Sequence, residues 1–149
     1  MPISIYNTLT QKKELFQTIE SGKVGMYVCG PTVYDSCHIG HARSVVVFDV
    51  ISRYLKSRGY EVVYVRNFTD IDDKIIRRAA ELGVNPKTLA DKYIDEFYRD
   101  MDALHVERAS FEPRVTEHID DVIQLVQKLM VKKVAYEVSG DVFFCCGVI

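Results

Sequence analysis

The feature that most constrains this chain is a strand that stops abruptly and restarts as a helix. Lys23 to Cys29 (KVGMYVC) is a short apolar run of strand type, broken by Gly30, Pro31 and Thr32. From Gly40 to Arg58 the apolar positions Val47, Val50, Ile51, Tyr54 and Leu55 recur at helical spacing, and Gly59 supplies a stop. Glu61 to Arg66 (EVVYVR) is rich in β-branched residues and predicts a second strand. Strand, helix and strand joined this way predict a parallel βαβ unit of right-handed crossover. The fold class is therefore α/β.

The rest of the chain reads as helices and a hairpin. Asp72 and Asp73 precede Ile75 and Ile76 as carboxylates at a helix start, and that helix stops at Gly83. Asn85 and Pro86 restart the chain as cap and first helical residue. Leu89, Tyr93, Phe97, Met101 and Leu104 form one apolar stripe at helical spacing. After Pro113 a last helix is expected over 116–132, with Ile119, Val122, Ile123, Val126 and Leu129 as its apolar face. Ala135 to Phe144 predicts a hairpin turning at Ser139-Gly140. The chain shows no internal repeat and no low-complexity linker.

Composition narrows the classes of function. The 149 residues suit one domain. The 19 basic and 21 acidic residues give a net charge of -2, so no global basic field draws the chain to nucleic acid. No run of about 18 apolar residues suggests a membrane span, and Met1 to Leu15 lacks a signal-type apolar run. A cytoplasmic protein is expected. Cys29, Cys37, Cys145 and Cys146 are then read as thiols.

The residues richest in chemistry lie between the first strand and its helix, in Cys29 to His41 (CGPTVYDSCHIGH). Ligands of open α/β sheets bind at such strand ends, and a helix N-terminus welcomes phosphate. Gly40 lets a flat base or a phosphate approach the backbone. His38 and His41 project from one side of the first turn and can donate hydrogen bonds to a phosphate whose charge grows in a transition state. Two histidines beside Cys29 and Cys37 also fit a metal site, and spacing alone leaves both readings open. Asp70, Asp72 and Asp73 read as helix-start carboxylates ahead of a cation cluster. Lys132 and Lys133 read as a solvated helix end.

His38-Ile39-Gly40-His41 resembles the HIGH signature of class I aminoacyl-tRNA synthetases. Met26 to Gly30, Thr32 to Asp35, and Arg66 to Ile75 (RNFTDIDDKI) resemble the cysteine-specific members, and the likeness runs from Ile5 to about Phe144. The resemblance implies a Rossmann-like catalytic domain of which residues 1–149 form the N-terminal part. It implies ATP-dependent activation of L-cysteine to cysteinyl-adenylate and transfer to tRNA-Cys. His38 and His41 match the histidines that steady the α-phosphate, and Gly40 the glycine beside the adenine. Gly30, Thr32 and Thr69 match positions of the cysteine pocket. Cys29 matches a Zn²⁺ ligand, where a soft thiolate suits the metal and a bound substrate thiol would be told from a serine hydroxyl. Magnesium accompanies the ATP. Two rival readings are a related ligase that joins cysteine to an amino sugar, and a small nucleotide- or metal-binding domain without catalysis.

The departures from that pattern carry their own expectations. The other zinc ligands, the KMSKS loop and the tRNA-reading domains are not among residues 1–149. Cys145 to Ile149 does not continue the family's strand. A one-base slip would account for that tail if the Phe143-Phe144 codons hold a run of T, which resequencing the gene would show. A truncated chain of this kind is expected to lack aminoacylation activity alone and to self-associate through an unpaired sheet edge.

Overall fold

A computed structural model describes residues 2–146. The elements are β1 (Ser4–Asn7), β2 (Lys12–Leu15), β3 (Lys23–Val28), α1 (Ile39–Ser57), β4 (Glu61–Arg66), α2 (Asp73–Leu82) and α3 (Pro86–Ala103). A 3-10 turn (Val115–His118), α4 (Ile119–Val131), β5 (Ala135–Val138) and β6 (Asp141–Phe144) follow. Of the divergent tail, residues 147–149 lie outside the described residues.

The expected βαβ unit is present. β3 and β4 pair in parallel, Lys23 opposite Glu61 through Val28 opposite Arg66, and α1 makes the crossover. The pairing continues past both strand ends. The Thr69 amide donates to Pro31 O at 3.1 Å, and the Val33 amide donates to Thr69 O at 3.2 Å. Those two bonds hold the loops after β3 and β4 side by side, so both loops build one site.

A third extended segment escaped the sequence reading. Residues 110–115 run parallel beside β4. The Ser110 amide donates to Tyr64 O at 2.7 Å, the Arg66 amide to Phe111 O at 3.0 Å, and the Phe68 amide to Pro113 O at 2.9 Å. Pro113 hides this strand from sequence rules, yet a proline is tolerated at a sheet edge where its missing N–H faces no partner. The N-terminal hairpin of β1 and β2, joined in antiparallel register from Ser4–Leu15 to Asn7–Lys12, was likewise not foreseen.

Helix starts and stops follow the expected residues. Asp72 caps α2, its side chain accepting from the Lys74 amide, and Gly83 ends the helix. Asn85 caps α3 by accepting from the Lys87 amide, with Pro86 first in the helix. The β5–β6 hairpin turns at Ser139 and Gly140, whose φ values of 55° and 91° are the two left-handed residues that a two-residue turn of this hand requires.

Burial departs from the apolar patterns of the sequence in three helices. On α1 the buried residues are Val45, Asp49, Ser52 and Leu55, whereas Val47, Val50, Ile51 and Tyr54 are exposed. The polar pair is buried because it has partners or small size: Asp49 accepts from the Glu107 amide at 3.0 Å and from Arg53 Nε at 2.8 Å. On α3 the stripe buries Leu89, Tyr93, Phe97 and Met101, but Leu104 sits past the helix end and is exposed. The last helix begins at Ile119, after the 3-10 turn, and no residue of α4 is buried.

The core lies where α2 and α3 meet the end of β4. Phe68 and Ile75 are wholly buried there, with Ile94 and Phe97 beside them. The Phe68 ring meets Phe97 edge-on at 5.3 Å and Tyr98 at 5.6 Å. Phe68 lies two residues past the end of β4, so this packing anchors the loop that carries Asn67 and Thr69.

Candidate active site at the end of the parallel strands

The site begins with the way α1 starts. His38 is the N-cap residue, with extended φ and ψ of -112° and 171°. Its Nδ1 accepts from the Gly40 amide at 3.0 Å, and the His38 amide donates to His41 Nδ1 at 3.3 Å. The two imidazoles replace the Ser and Glu of an ordinary capping box. The same geometry fixes both tautomers. An Nδ1 that accepts from a backbone N–H carries no proton, so in each neutral ring the proton sits on Nε2. Both Nε2–H groups are thereby donors that the cap does not use.

The rings stack at 3.9 Å between centroids with a 22° interplanar angle. Burial, aided by the neighbouring His38 ring, pushes the His41 pKa below the ordinary histidine value. His41 therefore holds a neutral ring at neutral pH, as the cap requires. Gly40 sits under this pair: a Cβ there would lie 2.8 Å from His38 Cε1.

A cavity of about 230 Å³ opens beside the histidines, lined by Cys29, Gly30, Thr32, His41, Ser44 and Arg66 among others. The structure thus brings Cys29, Gly30, Thr32 and His41 together around one space. Thr69 is joined to it through its bridge to Thr32. His38 and Gly40 stand at the exposed helix start.

Gly30 marks the tightest approach in the site. A Cβ there would lie 1.6 Å from the Asn67 carbonyl oxygen, so no side chain fits without moving the backbone. Asn67 itself was missed in the sequence. Its Oδ1 accepts from the Gly30 amide at 2.9 Å and from the Tyr27 hydroxyl at 3.0 Å.

Arg66 was also missed. It is 2% exposed, paired through Nη2 to Glu112, with its guanidinium 4.9 Å above the Phe97 ring. Its Nε and Nη1 make no hydrogen bond among the described residues. Glu112 also accepts from the Tyr98 hydroxyl at 3.0 Å. Burial and the Glu112 charge push the Tyr98 pKa up to about 12, so this hydroxyl stays a donor. Nothing local marks Arg66 as buried, because its partner lies 46 positions away.

Two of the acidic residues after β4, Asp70 and Asp72, have structural partners. Asp70 is buried and accepts from the Thr116 amide at 3.0 Å and from its hydroxyl. It ties the site loop to the 3-10 turn rather than serving α2, which is a correction to its reading as a carboxylate of that helix start. Among the described residues no group of three or more His, Cys, Asp or Glu side chains is placed to hold a metal ion. Cys29 is an exposed free thiol, and Cys37 is a half-buried one whose pKa burial raises. One thiol does not make a four-ligand zinc site, so the described residues do not fit that metal by themselves.

Residues 15–147 match the family described as the tRNA synthetases class I (C) catalytic domain. The chain belongs to that family. Over 144 residues, 97% of this chain, it is 58% identical to a cysteine–tRNA ligase of Pyrococcus horikoshii and 56% identical to one of Anoxybacillus flavithermus. The chain spans about 30% of the length of these relatives. Among solved structures, a methionyl-tRNA synthetase of Mycobacterium tuberculosis in complex with methionyl-adenylate superposes with a TM-score of 0.66 at 26% identity. That match covers 75% of this chain and 23% of the other. A LeuRS of Agrobacterium radiobacter K84, in ternary complex with tRNA and LeuAMS, gives 0.68 at 24% identity, over 79% of this chain and 16% of that one. The latter supports the fold alone, and both agree with a partial Rossmann-like α/β synthetase domain. No helix among the described residues is long and apolar enough to cross a membrane.

Proposed function

We propose that this chain forms the ATP- and cysteine-binding half of a cysteine–tRNA ligase site. The observation that carries the reading is the histidine capping box. It leaves two Nε2–H donors unused at a helix N-terminus, beside a cavity bounded by Cys29, Gly30 and Thr32. In the proposed reaction a carboxylate oxygen of L-cysteine attacks the α-phosphorus of ATP. The bond from that phosphorus to the bridging oxygen breaks, pyrophosphate leaves, and cysteinyl-adenylate forms. The cysteinyl group then passes to the 3′ end of tRNA-Cys.

In that step negative charge grows on the α-phosphate oxygens. His38 and His41 donate from Nε2 to those oxygens, and the α1 N-terminus adds its partial positive charge. Because the cap holds both rings before ATP arrives, little reorganisation is needed as the charge develops. Gly40 leaves room for the adenine. Gly30, Thr32 and Thr69 form the wall against which cysteine lies. Cys29 offers one thiol at the cavity mouth, and no step here is routed through a metal. Magnesium would travel with the nucleotide.

A chimera tests the reading. Residues 1–144 of this chain replace their counterpart in the Pyrococcus horikoshii ligase, and cysteine-dependent exchange of pyrophosphate into ATP is measured. Exchange that requires cysteine and is not supported by serine is the expected result. A folded chimera that exchanges with neither, while the unaltered ligase does, overturns it.

A further inference from the structure

Asn67 joins the two loops of the site, and nothing in the capping box accounts for it. Its Oδ1 accepts from the Gly30 amide at 2.9 Å and from the Tyr27 hydroxyl at 3.0 Å. The backbone N–H of Gly30 can only donate, so the orientation of the Asn67 amide is settled: oxygen toward Gly30, nitrogen away. That nitrogen points to Thr69 Oγ1 at 3.5 Å, the outer limit of a hydrogen bond. The Asn67 main chain also fills the space that a Cβ on Gly30 would need.

We infer that Asn67 is a positioning residue for the amino-acid pocket, setting both the Cys29–Gly30 strand exit and the direction of the Thr69 hydroxyl. This rests on the cysteine-binding reading above. An amide N–H facing Thr69 Oγ1 occupies a lone pair of that oxygen, so the hydroxyl proton is turned outward and is free to donate to a ligand. Its Oδ1 holds Gly30 at the depth where Cys29 stands at the cavity mouth. One side chain thus fixes the two walls between which an amino acid of cysteine size would sit.

The two halves of the assignment separate in two variants. N67A removes both the acceptor and the donor. N67D keeps an acceptor for Gly30 and Tyr27 but turns the Thr69 hydroxyl inward, since a carboxylate can only accept. The 149-residue chain is labelled with ¹⁵N, amide exchange at Gly30 is followed by NMR, and L-cysteine and Mg-ATP are titrated separately. N67A is expected to speed Gly30 exchange and to raise the Kd for L-cysteine, each by about tenfold, with the Kd for Mg-ATP unchanged. N67D is expected to retain the slow Gly30 exchange while its L-cysteine affinity falls as in N67A. A purely structural residue would not separate those readouts.

Three results overturn the assignment. One is slow Gly30 exchange retained in N67A. The second is an N67D variant that binds L-cysteine as the parent does. The third is equal loss of Mg-ATP and L-cysteine affinity, which would mean general loosening. Failure of the parent chain to bind L-cysteine is a different outcome: it removes the amino-acid reading itself, and the pocket Asn67 would serve goes with it.

Discussion

The imidazoles of His38 and His41 stack 3.9 Å apart, and each gives its Nδ1 to a backbone N–H at the start of α1. One contact therefore does two jobs. It satisfies amides that a helix start leaves without partners, and it dictates which nitrogen of each ring is free to meet a phosphate.

Substitution at His38 can separate these jobs. Asn is among the best N-cap residues, so H38N retains the cap and should leave stability within about 0.5 kcal/mol of the parent, whereas H38A should cost about 1 kcal/mol. Both lose the Nε2–H donor. In the chimeric ligase both should lower the pyrophosphate exchange rate by roughly 10²–10³-fold. Urea denaturation of the chain and exchange kinetics of the chimera together check this. An H38N enzyme of parental rate would show that the donor is not used.

The depressed pKa of His41 makes stability depend on pH in a stated direction. Its unfolded form takes a proton near 6.5, whereas the folded form resists it because burial and the His38 ring oppose the charge. Between those two pKa values the unfolded chain binds more protons, so stability falls as the pH is lowered from about 6.5 through the folded pKa. Thermal melts between pH 7.5 and 5, on the order of what a single His can report, should show this loss in the parent and a smaller one in H41A. Equal pH dependence in both would remove His41 as its source.

Gly30 and Gly25 form a matched pair of tests on β3 and its exit. G30A places a Cβ against the Asn67 main chain and should destabilise by about 3 kcal/mol or prevent folding. Nothing lies within 4 Å of a Cβ at Gly25, so G25A should be neutral within about 0.5 kcal/mol. Circular dichroism during chemical unfolding compares them. Similar stability of the two variants would contradict the close approach at Gly30.

The Arg66–Glu112 pair should be costly to break from one side. Arg66 is 2% exposed, and E112A leaves its guanidinium without a counter-charge and the Tyr98 hydroxyl without an acceptor. A loss of about 3–5 kcal/mol is expected from equilibrium unfolding. A loss below about 1 kcal/mol would mean that water or a shift of Arg66 replaces the pair.

Local sequence carried the parts of this fold whose causes are local. The caps at Asp72 and Asn85, the stop at Gly83 and the turn at Ser139-Gly140 are each set by one or two side chains and lie where those residues predict. His38 and His41 stood out because they sit within the 13 residues from Cys29 to His41 at a strand–helix junction, whereas Cys29, Gly30 and Thr32 were singled out by the family resemblance. Asn67, Arg66 with Glu112, and Asp70 with Thr116 were not, because each acts through a partner some 37 to 46 positions distant. The apolar face expected on α1 failed for a related reason. Periodicity singled out Val47, Val50, Ile51, Tyr54 and Leu55, whereas the contacts of Asp49 with Arg53 and Glu107 turn the side that carries Val45, Asp49, Ser52 and Leu55 inward.

The most direct test of the central claim is a titration of the 149-residue chain with Mg-ATP, observed at the imidazole ¹⁵N resonances of His38 and His41. Both rings are expected to remain in the Nε2–H form, and their Nε2 signals to shift on saturation, with the Gly40 amide following. The H38N variant should lose nucleotide affinity while keeping its helix start. Binding of Mg-ATP that leaves both imidazoles and Gly40 undisturbed would contradict the account, since the nucleotide phosphates would then lie elsewhere.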